Sequence, residues 1–249
     1  MRPLSLLLAL LLVSVPIGAR AECLDSGLQT FPAPGSVVPT NARLILEGIG
    51  SDAEKVGALV GKQLVLRAWD DAVSVTVRKG WRSRMGRLAV QLTPNAELRP
   101  DRTYKLQLSQ ELAEVELQNG HELSWKTGDG RDTRPPVWTE KPAVSEGEYR
   151  LESGRPVRHL TFHMRMEEES PTYLVITLRR ARGDQTVQTY FVPVNGGEAS
   201  VGHDSCSGGF TFDDGRAYKA VVSAFDTAGN AAPPLKELEV HAPRKEVSP

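Results

Sequence analysis

Apolar and polar residues alternate with a period of two along much of the 249-residue chain, the pattern of half-buried strands. Leu64, Leu66 and Ala68 share one face of a run over 63–69, and Val73, Val75 and Val77 share one face of 72–78. Leu88, Val90 and Leu92 do the same over 87–93, with further runs at 103–109 and 122–126. This half opens on a proline-broken segment, 31–47, that suits an irregular edge strand and becomes regular at Leu44. A second set of runs occupies 147–151, 157–166, 172–181, 186–193, 198–202, 209–212, 217–225 and 236–241. In 172–181 both faces are apolar, with Tyr173 and Val175 on one and Leu174, Ile176 and Leu178 on the other. That predicts a central strand covered on both sides. Helical character is confined to a short turn at 52–60, and 111–117 reads equally as turn or strand.

Short strands broken by turn residues about every 8–12 positions predict an all-β fold. The expected architecture is two tandem antiparallel immunoglobulin-like β-sandwiches, over 28–130 and 138–243. The Gly-, Asp- and Pro-rich segment 131–137 is the expected linker, stiffened by Pro135 and Pro136, and 244–249 is a tail. Trp138 is the expected plug at the start of the second unit.

Some phrases also resemble known families. Pro34-Gly-Ser-Val-Val-Pro39 followed by Asn41-Ala-Arg-Leu-Ile-Leu46 is similar to the opening of bacterial immunoglobulin-like domains of the S-layer type. The phrase Leu92-Thr-Pro leading to Thr103-Tyr-Lys-Leu106 is similar to a later turn and strand of that family, and Glu47-Gly-Ile-Gly50 departs from it. The strand from Tyr218 into Asp226-Thr-Ala-Gly-Asn230 resembles the last hairpin of fibronectin-III-like and other immunoglobulin-like modules. That resemblance implies a corner tyrosine at Tyr218, its hydroxyl tied to nearby backbone. These motifs carry fold, not catalysis.

The first 21 residues change where this fold is expected to work. Arg2, an apolar run over 4–17 and Ala19-Arg-Ala21 predict a secretory signal peptide cleaved after Ala21. The run is shorter than the about 20 apolar residues a membrane span needs, so no transmembrane segment is expected in the mature chain. Glu22 before Cys23 argues against a lipoprotein site. Cys23 and Cys206 both enter an oxidising compartment, periplasmic or extracellular, where a disulfide between them is expected. It would close a loop of about 180 residues and contribute roughly 5 kcal/mol by chain entropy.

Charge excludes little and favours no polyanion globally: 30 Lys and Arg stand against 31 Asp and Glu, so nucleic acid is not an expected partner. Locally, Arg78, Lys79, Trp81, Arg82, Arg84 and Arg87 form an acid-free cluster at an expected hairpin tip. Such a cluster is a candidate surface for phosphate- or uronate-bearing polymers. His159 and His163 lie on one face of a strand but about 13 Å apart, too far for one metal ion. His203 and Cys206 form a loop pair short of further ligands. Asp213, Asp214, Asp226 and Asn230 are candidate calcium oxygens without a loop motif, so turn chemistry is the expected role. Glu167 to Glu169 read as a solvated charge run, and Arg182-Gly-Asp184 as a hairpin turn. No nucleophile elbow, zinc-protease or phosphate-loop motif occurs, and no cofactor is called for. The expectation is an exported, non-enzymatic structural or protein-binding module of a bacterial envelope. The alternative is a polysaccharide-binding accessory protein acting through 78–87.

Overall fold

The computed structural model describes residues 26–108, 112, 122–145, 147–183 and 187–245. The leader, Cys23, the ambiguous segment 111–117 apart from Leu112, and Asp184 lie outside the described residues. The chain is all-β with one short helix among the described residues.

Residues 27–127 build one eight-stranded sheet. Its strands are β1 (Gly27–Phe31), β2 (Val37–Val38), β3 (Leu44–Ile49), β4 (Gln63–Arg67), β5 (Ala72–Arg82), β6 (Arg87–Pro94), β7 (Thr103–Gln107) and β8 (Ser124–Thr127). They lie in the order β1-β3-β6-β5-β4-β7-β8-β2, all antiparallel except the parallel β2–β8 pair. The β4–β5 pair joins the strands into one continuous ladder, an arrangement compatible with the expected all-β sandwich. β1 and β2 are the outer edges of the sheet, yet only Pro32 to Ser36 separate them along the chain. So short a link reaches at most about 20 Å, less than the about 34 Å that eight flat strands would span, so the sheet must fold over on itself. Trp125 of β8 anchors that link by donating its indole N–H to the Pro32 carbonyl at 3.0 Å.

The helix α1 (Asp52–Gly57) lies against β3. It sits so close that a Cβ on Gly48 would come within 2.5 Å of the Asp52 carbonyl, which requires glycine there.

The remaining strands form two four-stranded sheets. One holds β9 (Val137–Val144), β10 (Glu148–Glu152), β11 (Arg155–Glu167) and β14 (Glu198–His203). The other runs β13 (Val187–Pro193), β12 (Thr172–Arg180), β15 (Ala217–Asp226), β16 (Leu238–His241). Leu160 and Phe162 from the first, with Leu174, Ile176 and Val222 from the second, share one core. The expected strand at 209–212 is absent; instead Gln188 accepts from the Thr211 N–H and donates to its carbonyl. β9, opened by Val137 and Trp138, is a strand the alternation did not predict.

Each unit carries a tyrosine bonded to backbone five residues upstream. Tyr104 accepts from the Arg99 N–H at 3.0 Å, and Tyr218 from the Asp213 N–H at 2.9 Å.

The two units share a core. Within β3, Leu44 and Leu46 point into the curled sheet, whereas Ile45 joins Tyr173, Phe191 and Phe225 on the other side. All six residues of β3 are therefore buried. Phe31 meets Tyr173 edge-on at 5.4 Å, and burial pushes the Tyr173 hydroxyl up to about 12.

Candidate functional site

The basic cluster lies where β5 turns into β6, and a bulge decides what it exposes. Register slips between Lys79 and Trp81 around Gly80, whose Cβ would stand 2.4 Å from the Ala89 carbonyl. A one-residue slip moves later side chains to the opposite face. Trp81 therefore leaves the face of Val73, Val75 and Val77 and packs on Phe191 at 5.5 Å and Tyr173 at 6.2 Å. Arg82 is paired with Glu54, at 2.5 Å, and its hydrogen bond, then its charge, holds that carboxyl below the usual range. Arg87 donates to Ser207 at 3.2 Å and lies 3.7 Å from Glu47. Arg78, Lys79 and Arg84 remain exposed. The hairpin is also bridged to the second unit, with the Gly208 N–H donating to the Met85 carbonyl at 3.2 Å.

Behind the hairpin sits a polar contact between the units. Glu47, only 4% exposed, accepts a hydrogen bond from the Tyr190 hydroxyl at 2.7 Å. Burial pushes the Glu47 carboxyl up, and Arg87 and Tyr190 only partly offset it. Burial and the neighbouring carboxylate also push the Tyr190 hydroxyl up.

At the other end of the junction the fold gathers carboxylates from three distant segments. Asp132 comes from the linker, Glu168 from the β11–β12 turn and Asp226 from the end of β15; their oxygens lie within 4.8 Å of one another. The named donors to them are neutral. Asn230 gives Asp226 its backbone N–H and its side-chain amide, each at 2.8 Å. Ser170 gives Asp132 its hydroxyl at 2.7 Å and Glu168 its N–H at 2.7 Å. Burial first, then the neighbouring negative charges, raises the carboxyls of Glu168 and Asp226. These three groups are the described residues able to hold a cation, although three carboxylates fall short of the six or more oxygens calcium takes.

The same Asn230 amide reaches the carbonyls of Asp132 and Arg134, each at 3.3 Å. The Asp226 turn thus clasps the linker as well as closing its hairpin. Asp213 and Asp214 do not join it: Asp213 pairs with Arg180, and Asp214 with Arg158.

His159 and His163 go to separate partners. His159 meets Asp204 at 3.1 Å, His163 meets Glu198 at 3.2 Å, and buried His203 bonds the Asp204 carbonyl at 3.0 Å. Burial lowers the His203 pKa. Cys206 is not a free thiol.

Sequence reasoning missed the Asp132–Glu168–Asp226 gathering, which joins the linker to two turns of the second unit, and the Glu47–Tyr190 bond, which forms only when the units meet. It also placed Trp69 in a strand, whereas the ring stands 88% exposed at the β4–β5 turn. No family model matches the chain, and no curated protein matches it.

Proposed function

We propose that the mature chain is an exported, non-catalytic structural or protein-binding module of a bacterial envelope, built from two immunoglobulin-like units. The observation that carries this reading is the apolar core running across the junction, from Phe31, Ile45 and Trp81 to Tyr173 and Phe191. Such a core favours one stiff body over two modules that tumble independently. A stiff body suits a spacer or a docking platform. A Cys23–Cys206 disulfide adds a second tie, from the mature N-terminus to the loop beside Ser207; intact mass with and without reductant and alkylation tests it.

The alternative, polyanion binding, draws its support from exposed Arg78, Lys79 and Arg84. Retention of the labelled mature protein on envelope fractions separates the two. Loss of retention after protease treatment of the fractions is the expected result. Loss after glycan digestion alone favours the polyanion reading, and retention by neither component overturns both.

A further inference from the structure

Two of the gathered carboxylates, Asp132 and Glu168, line a larger cleft between the units, about 800 Å³ in volume. Exposed valines stand on its two walls, Val37 from the first unit at 59% exposure and Val137 from the second at 48%. Between them Asp129 and Glu167 are exposed, and Asp132 and Glu168 are half-buried. Two arginines also line the cleft, but Arg131 is held by Glu97 at 2.9 Å and Arg134 lies 4.0 Å from Glu169. Negative charge dominates what is left.

One wall is also a strand edge. β2 is the outermost strand of its sheet, bonded on its inner side through Gly128 N–H to the Val38 carbonyl at 2.8 Å. The Lys126 N–H reaches the Ser36 carbonyl on that same side at 3.2 Å. Alternation along a strand then turns the N–H and carbonyl of Val37 to the open side. Because Pro39 follows, that edge offers one pair of backbone bonds and suits a short partner segment.

We propose that this cleft docks a short, extended, basic segment of a partner polypeptide, its backbone paired with Val37 and its cationic side chains set against Asp129, Glu167 and Glu168. An extended segment alternates its side chains between two sides. Lysines or arginines at every second position meet the acids, and the intervening apolar residues meet Val37 and Val137. An incoming cation also relieves the mutual repulsion of Asp132, Glu168 and Asp226. The proposal rests on reading the chain as a protein-binding module and names the chemistry of the partner.

The probe is a fluorescein-labelled octapeptide of alternating lysine and valine, titrated with the oxidised mature protein in low salt and followed by anisotropy. Saturable binding is expected, weakened at least about tenfold by the double variant Asp129→Lys with Glu167→Lys. A glutamate–valine peptide should not bind. Both substituted positions are exposed, and thermal melting verifies that the variant is folded. Equal binding by the double variant overturns the proposal, as does no saturable binding by the wild type. Calorimetric binding of calcium without binding of the peptide also overturns it and gives the cleft to a cation. None of these outcomes decides the parent reading, which stands or falls on envelope retention.

Discussion

The two ends of the junction solve the same problem in opposite ways. At one end a single carboxylate, Glu47, enters the interface with a phenol at 2.7 Å and a guanidinium at 3.7 Å. At the other, Asp132, Glu168 and Asp226 crowd together, with neutral donors such as the Asn230 amide and the Ser170 hydroxyl against them. A buried acid with its own partners is a fastener; its removal strands the groups around it. A cluster of like charges without a cation is a standing cost, tolerable because Glu168 and Asp132 keep partial access to water. One end is sealed and the other is left open on the acidic cleft.

The largest effect is expected at the sealed end. Glu47→Ala leaves the buried Tyr190 hydroxyl without its acceptor and opens a cavity, and should lower stability by about 3 kcal/mol in denaturant unfolding. Glu47→Gln keeps an acceptor, and burial already favours the neutral form of Glu47, so its loss should stay near 1 kcal/mol or less. Equal losses for the two variants would show that charge, not the hydrogen bond, holds this end.

Next in size are the two tyrosine corners. Tyr104→Phe and Tyr218→Phe each remove a hydroxyl that accepts a backbone N–H, and each should cost about 1 kcal/mol by the same measurement. Similar values would mark the corners as equivalent devices in two differently closed units.

The smallest effect, with the opposite sign, belongs to the open end. Glu168→Gln removes one of three repelling charges while keeping an acceptor for the Ser170 N–H, and should raise stability by a few tenths of a kcal/mol, solvent screening limiting the gain. The folded-state pKa of Glu168 is raised, so its charged form costs stability above that pKa and the cost is relieved as pH falls through it. The advantage of Glu168→Gln is therefore full at neutral pH and vanishes once pH drops below the ordinary carboxylate range. Melting curves across that interval check the sign.

What could be read along the chain was whatever a single strand expresses by itself. The alternation in β12 and β15, and the turn from Asp226 to Asn230, follow from local periodicity and turn chemistry. The two apolar faces of β12 even announced burial on both sides. β9 was missed because its exposure barely alternates, with only Pro142 buried. Trp81 was placed among surface cations because the bulge at Gly80 reverses the phase that Val73, Val75 and Val77 establish. The curled single sheet was hidden because closure depends on the chain crossing between edges within Pro32 to Ser36, a distance argument rather than a pattern. Asp132, Glu168 and Asp226 belong to three separate turns, each ordinary alone. Only the tertiary fold, which lays the linker against two turns of the second unit, brings them together.

The contrast between a fastened end and an open acidic end is tested most directly by melting Glu47→Ala and Glu168→Gln beside the wild type in one neutral, low-salt buffer without divalent cations. Shifts of opposite sign are predicted, a marked fall for Glu47→Ala and a small rise for Glu168→Gln. A fall in both, or no change in Glu47→Ala, would contradict the account.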